Sequence, residues 1–190
     1  HSGLYSPYLR PYPKRVRASP PSSVIRLQTH TGVPIMRMAV GSDEKCNLTE
    51  AVIAELELKG IEVELYGALN PSGFESLWPQ VGRNVGKRVA SGGVDQGILF
   101  CWTGTGVSIA ANKVPGVRAA LCTDATTAAG AKKWNHANVL VMSLRSTSPQ
   151  IAREILDAWI TTPYGDDEDA ECVARVTAIE QSYSAITARR

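Results

Sequence analysis

The sequence predicts an α/β fold in which a five-stranded parallel sheet is covered by helices on both faces. From residue 36 onward, five short apolar segments alternate with longer segments of helical period. Most of the short segments are continuous apolar runs, which is typical of parallel strands buried on both sides. No internal repeat is visible. Together these features indicate one layered α/β domain over residues 36–190.

Strands are predicted where apolar runs end at small or polar residues. They are RMAVG (37–41), IEVELYG (61–67), VDQGILFC (94–101), VRAALC (117–122) and ANVLVMS (137–143). Helices are predicted at 48–60, 78–93, 107–116, 124–135, 148–162 and 169–186. Gly60 closes the first helix, whereas Gly82 and Gly86 weaken the second. The fifth has Ser148 as N-cap and Pro149 in its first turn.

The composition restricts the classes of function. With 190 residues, of which 44% are hydrophobic, the chain can bury the core of one globular domain. A net charge of +2 gives no reason to expect a nucleic-acid partner. No apolar run approaches the roughly 18 residues of a membrane span, so no membrane partner is expected. The four cysteines show no paired spacing, which indicates reduced thiols in a cytoplasmic protein and no disulfide or zinc site.

The first 35 residues differ from the rest of the chain. They hold five Lys or Arg residues, no acidic residue and many prolines, with no periodic pattern. Because proline removes a backbone donor and fixes φ, this segment should not form a helix or a central strand. We expect residues 1–35 to be a disordered basic extension that the domain does not need.

Ligands of parallel α/β sheets bind outside the carboxyl ends of the strands. After the third predicted strand the sequence reads Thr103-Gly104-Thr105-Gly106, followed by a helix. Such a loop can present backbone N–H groups to an anion. It is not a P-loop, because no Lys-Ser or Lys-Thr follows, and it is not a complete GxGxxG motif, because Ile109 stands at the third glycine position.

Cys101 stands at the end of the same strand. A thiolate beside an anion-stabilising loop can remove a proton from a carbon next to a carbonyl, while the loop N–H groups hold the enediolate oxygen. A small buried residue that only completes a strand would look the same in the sequence. From the spacing alone, both interpretations of Cys101 stay open.

The stretch GILFCWTGTGVSIAANKVPGVRAALCTD resembles the central signature of the type B ribose-5-phosphate isomerase and galactose-6-phosphate isomerase family. So do MRMAVGSDEKCNLTEAVIAELELKGIEVELYG before it and WNHANVLVMSLR after it. The resemblance implies a Rossmann-like fold and interconversion of an aldose phosphate and a ketose phosphate through a cis-enediol. It implies no metal and no cofactor, and a homodimer or homotetramer whose active sites are shared between subunits.

The resemblance also implies roles for individual positions. It assigns catalysis to Cys101, as the base, and to Thr103 in the loop. It assigns substrate binding to Asp43, Glu44, Trp102, Gly104, Thr105, Gly106, Trp134, Asn135, Arg145 and Arg175.

Four of the matched positions depart from the family pattern. Glu44 stands where a histidine is usual, and Trp102 replaces a glycine. Trp134 occupies the position of the histidine that opens the sugar ring, and Glu171 that of a phosphate-binding arginine. The two tryptophans can narrow the pocket or stack on the sugar, but they would also suit core filling or dimer packing.

These departures leave the substrate open. Ribose 5-phosphate is the default expectation. A substrate that cannot cyclise, such as a tetrose phosphate, would not need the missing histidine, and an unphosphorylated sugar would not need the missing arginine. A non-catalytic sugar-binding protein is the alternative of another class, and the retained cysteine and loop disfavour it. A nucleotide-binding regulator is disfavoured by the incomplete nucleotide motifs.

Overall fold

The structure is a computed structural model that describes residues 35–72 and 76–187. Apart from Ile35, the predicted extension lies outside the described residues. The strands are β1 (Arg37–Ser42), β2 (Glu62–Gly67), β3 (Gln96–Cys101), β4 (Ala119–Leu121) and β5 (Val139–Ser143). The helices are α1 (Asn47–Leu58), α2 (Trp78–Ala90), α3 (Thr105–Ala111), α4 (Ala125–Asn135), α5 (Pro149–Thr161) and α6 (Asp167–Thr187).

The five strands form one parallel sheet in the order β2-β1-β3-β5-β4. This confirms the predicted α/β class and the number of strands. Since all strands run in the same direction, their carboxyl ends meet at one edge of the sheet, with β3 in the centre. The segments that follow β1, β3 and β5 are therefore neighbours in space.

Helices cover both faces of the sheet, as predicted. Along β3, Ile98 and Phe100 point to the core under α1, α4 and α5, whereas Leu99 and Cys101 point to the core under α2 and α3. This alternation follows from the two-residue period of a strand. It directs the Cys101 side chain toward the face where α2 and α3 begin.

Gly82 and Gly86, which disfavour a helix by propensity, allow α2 to pack closely on α3. A Cβ atom on Gly82 would lie 2.8 Å from the Val107 carbonyl oxygen and 2.9 Å from Ala110 Cβ. No side chain fits in this space, so glycine at this position brings the two helix backbones together. Tertiary packing here outweighs helix propensity.

The ends of some elements differ from the prediction. The fourth strand is only Ala119–Leu121, three residues long. Helix α6 begins two residues early, at Asp167, and its first turn holds three acidic residues, which the helix dipole favours. None of the helices in the described ranges is both long and apolar enough to cross a membrane.

A cluster of buried polar side chains lies on the face of the sheet that α4 and α5 cover. The Trp159 indole N–H donates to Gln96 Oε1 at 2.6 Å, and both residues are buried. Lys132, only 4% exposed, places its ammonium over the rings of Trp159 and Tyr164, at 4.9 and 4.4 Å from the ring centroids. Burial lowers the pKa of Lys132 to about 8. The group is structural, since it lies within the core beneath α5.

Candidate active site

The segments that follow β1, β3 and β5, where the site is predicted, meet at the carboxyl edge of the sheet. In the parallel ladders, Ser42 of β1 lies opposite Phe100 of β3, and Cys101 lies opposite Ser143 of β5. Asp43 follows directly after Ser42, at the same edge as Cys101. The structure therefore places Asp43, Cys101 and the end of β5 side by side.

Cys101 ends the central strand and is 5% exposed. Its carbonyl oxygen accepts hydrogen bonds from the N–H groups of Gly104 at 3.1 Å and of Leu144 at 3.0 Å. The first bond closes the turn after β3, and the second continues the contact with β5. The thiol is thus held on a rigid backbone at the base of the site, among the small side chains of the α2 and α3 face.

The loop after Cys101 turns directly into α3. Gly104 has φ of +78°, in the left-handed region that favours glycine, and its neighbours leave no room for a side chain. A Cβ atom there would lie 2.5 Å from Leu121 Cδ1. The hydroxyl groups of Thr103 and Thr105 are hydrogen-bonded to each other at 2.7 Å. Only glycine at residue 104 allows this tight path.

The loop also leaves backbone donors without intrahelical partners. Thr105, Gly106 and Val107 form the first turn of α3, whose N–H groups have no acceptor within the helix, and no side chain caps it. Because α3 has only seven residues, its dipole is small, and the N–H groups themselves are the donors that an oxyanion would meet.

Trp102 lies between the thiol and this loop. Its side chain is 60% exposed, but its carbonyl oxygen accepts two hydrogen bonds, from Ser143 Oγ at 2.9 Å and from Arg145 N at 3.0 Å. An exposed indole on a fixed backbone can form a wall of a binding site. The same bonds bring Arg145, which is exposed, to this edge of the sheet.

Asp43 is partly buried at the end of β1. Its Oδ1 atom is buried and has no hydrogen-bond partner within the described part of the chain. Burial raises the pKa of the Asp43 carboxyl; a bond from its own backbone N–H opposes this, and the charge of Glu44 adds to it. Glu44 itself is exposed, and the Ser42 hydroxyl donates to its carbonyl oxygen at 2.6 Å. Asp43 therefore has a buried carboxylate oxygen whose hydrogen-bonding capacity is not used within the described residues.

Trp78 is a residue of this site that the sequence analysis missed. It is the first residue of α2, and its indole ring lies against Gly106, where a Cβ atom would be 3.0 Å from the ring. Trp78 is 43% exposed, so the ring is available beside the loop. The strand-end rule also points to the segment after β2, which leads to Trp78, but that segment carries no motif of its own.

Two other predicted residues lie at the far end of the molecule. Helix α4 starts at the carboxyl edge and runs back over about 16 Å, at 1.5 Å per residue. Its last residue, Asn135, lines a groove of about 540 Å³ with Val117 at the amino end of β4 and with Val176 and Tyr183 of α6. Trp134, one residue earlier, is 57% exposed, and its ring covers Gly130. Within one chain, these residues do not meet Cys101.

Arg175 lies on α6, next to Val176, which lines the same groove. Its Nη2 atom donates to the Glu171 carboxylate at 2.6 Å, one turn earlier in the helix, and both side chains are exposed. Glu171, which stands where the family resemblance implies an arginine, therefore binds Arg175. His136 does not line this groove. Its Nε2 atom is buried, and its ring centroid lies 5.0 Å from that of Tyr164.

The site offers acids, a thiol and hydroxyl groups, but not a metal centre. Within the described ranges, no group of three or more His, Cys, Asp or Glu side chains lies close enough to hold a metal ion. All four cysteines are free thiols. Cys122, at the end of β4, is 1% exposed, and burial raises its pKa to about 12. Cys122 is thus a buried thiol of the inert kind, outside the loop that follows Cys101.

Comparison with known proteins agrees with the fold. Residues 38–179 match the sequence model of the family described as Ribose/Galactose Isomerase. The chain is 37% identical to ribose-5-phosphate isomerase B of Escherichia coli, covering 70% of this chain and 89% of that one. It is 33% identical to D-erythrulose-4-phosphate isomerase of Pectobacterium atrosepticum, covering 75% and 93%.

A solved structure has the same fold over nearly its whole length. It is ribose-5-phosphate isomerase B of Clostridium thermocellum, with a TM-score of 0.71 and 36% identity. The match covers 78% of this chain and 99% of that one. The family model, which matches residues 38–179, spans the five strands and most of the helices around them.

Proposed function

Because the chain belongs to the ribose/galactose isomerase family, we propose that it is an aldose–ketose isomerase of a phosphorylated sugar with Cys101 as its base. The observation that supports this most strongly is the position of Cys101. The thiol ends the central strand at the carboxyl edge, directly before a loop that presents free backbone donors. A proton-transfer site needs a base and an oxyanion partner next to each other, and this edge supplies both.

The proposed reaction moves one proton between neighbouring carbons. The Cys101 thiolate removes the proton from C2 of the aldose, the C–H electron pair forms the C1–C2 double bond, and the C1 oxygen becomes the enediolate oxygen. The loop N–H groups and the Thr103 hydroxyl hold this oxygen. The thiol then returns the proton to C1 as the C2 carbonyl forms, while a hydroxyl proton moves from O2 to O1. No atoms are gained or lost.

We propose that each active site is built from two chains. The family resemblance assigns Trp134, Asn135 and Arg175 to the substrate, but within one chain they lie at the end of α4 and on α6, away from Cys101. Asn135 lines the groove between α4 and α6, and this groove is the second surface of the chain. That surface is rich in exposed apolar side chains of α6, Val176, Ile179 and Tyr183, which a second copy would cover. A homodimer brings the second surface of one chain to the carboxyl edge of the other. A cytoplasmic location, expected from the unpaired cysteines, is part of this proposal.

Ribose 5-phosphate is the default substrate, and a tetrose phosphate is the second candidate. A ribose phosphate is mostly a closed ring, and Trp134 lacks the acid and base groups that would open it. A four-carbon sugar with its phosphate on O4 cannot form that ring and needs no such step. The relative from Pectobacterium atrosepticum is named for a four-carbon ketose phosphate, which supports keeping this candidate.

A non-catalytic sugar-binding protein is the alternative of another class. It would follow if the replaced residues were essential. The thiol that ends β3 directly before the loop argues against it, because a protein that only binds sugar needs no base at this position.

The decisive test is a panel of four-, five- and six-carbon sugar phosphates and their unphosphorylated counterparts. Isomerisation is followed by the appearance of the ketose phosphate, and incorporation of solvent deuterium at C1 reports the proton on the base. We expect turnover of at least one sugar phosphate and its loss in Cys101→Ala. Binding without turnover across the whole panel would instead support the non-catalytic alternative.

A further inference from the structure

Ser143 is a buried polar residue at the carboxyl edge that no role above includes. It is the last residue of β5, lies opposite Cys101 in the parallel ladder and is 5% exposed. Its hydroxyl donates to the Trp102 carbonyl oxygen at 2.9 Å and accepts from Ser146 N at 3.2 Å. A serine at this position thus joins two loops that would otherwise meet only through backbone groups.

The bond of Ser143 belongs to a set of three that fix the turn after Cys101. The Cys101 carbonyl accepts from Leu144 N at 3.0 Å, and the Trp102 carbonyl accepts from both Ser143 Oγ and Arg145 N. The carbonyl groups of Cys101 and Trp102 are therefore both turned toward β5. With the carbonyl groups held there, the peptide planes between the thiol and the loop have fixed directions.

From this geometry we infer that Ser143 is a positioning residue of the active site, acting through the Trp102 backbone on the thiol and on the loop. This inference rests on the proposed function, in which Cys101 transfers the proton. Ser143 does not touch the substrate in this scheme. Its hydroxyl holds the Cys101-Trp102 turn so that the thiol and the loop donors face the same substrate atoms, and a small misalignment in such a site can cost about 10²-fold in rate.

The hydroxyl bond of Ser143 is not needed to hold β5 and the turn together. The backbone bonds from Leu144 and Arg145 already join β5 to the turn without any side chain. The added hydroxyl bond ends on the one residue of the turn whose side chain is large and 60% exposed, Trp102. The hydroxyl bond gives the Trp102 carbonyl oxygen a second donor beside Arg145 N, so the peptide plane that leads from the thiol into the loop is held from two sides.

The test compares Ser143→Ala and Ser143→Thr with the unchanged chain, using full-length protein. We expect Ser143→Ala to lower kcat by about 10- to 100-fold with KM changed less than about threefold, because alignment is lost but the binding groups remain. Ser143→Thr keeps the hydroxyl and should recover most of kcat. The matched control is Ser148→Ala, which removes a serine hydroxyl that accepts from Ile151 N as a helix N-cap. It should lower the melting temperature without lowering kcat.

A second measurement separates this inference from the proposed function. Hydrogen–deuterium exchange should show faster exchange in residues 101–106 and at the Arg145 amide in Ser143→Ala, and in no other strand end. That result stands even if no sugar phosphate is turned over, in which case the proposed function fails while the positioning of the turn is upheld. Equal kcat in Ser143→Ala and the unchanged chain, or unchanged exchange in residues 101–106, would overturn the inference. So would a loss of kcat in Ser143→Ala that a folded Ser143→Thr does not recover.

Discussion

Glu171 binds Arg175 across one turn of α6, with the guanidinium Nη2 at 2.6 Å from the carboxylate. The two residues stand at positions that the family resemblance assigns to two basic groups on the phosphate side. Here one of the positive charges is missing and the other is paired with a negative one. Because both side chains are exposed, water screens the pair, and its effect on folding stability is small. The pair matters instead because it lowers the positive charge that this part of α6 presents to a substrate.

We predict that Glu171→Gln lowers KM for a sugar phosphate by about three- to tenfold while kcat stays similar, because the change removes a negative charge beside Arg175. The matched control is Glu168→Gln, which removes an acid from the first turn of the same helix. It should leave KM nearly unchanged. Steady-state kinetics at two salt concentrations measure both, and the gain should shrink at high salt. An unchanged KM in Glu171→Gln would remove this pair from the substrate site.

The replaced residues also predict which sugar is preferred. Trp134→His combined with Glu171→Arg should raise activity on ribose 5-phosphate, because it restores an acid–base group and a positive charge. The gain is limited by Trp102, which still narrows the pocket. Turnover of a tetrose phosphate should rise less, since that substrate needs no ring opening. An unchanged enzyme whose kcat/KM on ribose 5-phosphate reaches about 10⁴ M⁻¹s⁻¹, and exceeds that on every tetrose phosphate tested, would contradict this prediction.

Cys101→Ser should lower kcat by roughly 10²–10⁴-fold, because a serine hydroxyl is a far weaker base than a thiolate. KM should change little, since the substrate-binding groups remain. Cys122→Ser is the control: it changes a buried thiol at the end of β4 whose pKa burial raises to about 12, so this thiol stays protonated at neutral pH. The control should keep kcat. Near-normal turnover in a folded Cys101→Ser protein would exclude Cys101 as the base.

The shared site can be tested by mixing two inactive proteins. Cys101→Ser and Asn135→Ala each damage both sites of a homodimer. After unfolding and refolding together, each mixed dimer contains one site with both changes and one site with neither. Activity should therefore return to about one quarter of that of the unchanged protein, as two-fold symmetry requires. No recovery in mixed dimers that light scattering and mass spectrometry confirm would show that Cys101 and Asn135 serve the same chain's site.

Lys132 gives a prediction for stability against pH. Its pKa falls to about 8 from an ordinary value of 10.5, because burial disfavours the ammonium form. Below about pH 8 both folded and unfolded chains carry the proton, so the cost of burying the charge is complete. Between about pH 8 and 10.5 the unfolded chain binds more protons, and the free energy of unfolding from this group rises with pH.

Replacing Lys132 by methionine removes this cost at neutral pH. The pKa change corresponds to roughly 3 kcal/mol. We therefore expect Lys132→Met to be more stable than the unchanged chain at pH 7. This advantage should shrink by roughly 3 kcal/mol between pH 7 and about pH 10.5, because only the unchanged chain loses a proton at residue 132. Urea unfolding at both pH values measures it. Lys133→Met, at the exposed neighbouring position, should differ little from the unchanged chain, and a large loss of stability in Lys132→Met at pH 7 would refute the prediction.

The class of fold and the number of strands could be predicted from the sequence alone, and so could the edge of the sheet at which the proposed site lies. Apolar runs and helical periods are local properties, and the rule that ligands bind at the carboxyl ends of parallel strands then follows from topology. The loop after Cys101 could also be predicted, because Gly104 and Gly106 beside a thiol form a short contiguous pattern. Family resemblance added the roles of the individual positions and the departures at Trp102, Trp134 and Glu171.

Which side chains are in contact could not be predicted from the sequence and depends on how distant elements pack. The bond from Ser143 to Trp102 and the contact of Trp78 with Gly106 join residues far apart in the chain, and no local pattern marks them. The separation of Asn135 from Cys101 is equally invisible in the sequence, because it depends on the direction in which α4 runs back across the sheet. Local residue preferences fix the elements, whereas packing between distant elements fixes the distances, and a site made from several strand ends depends on those distances.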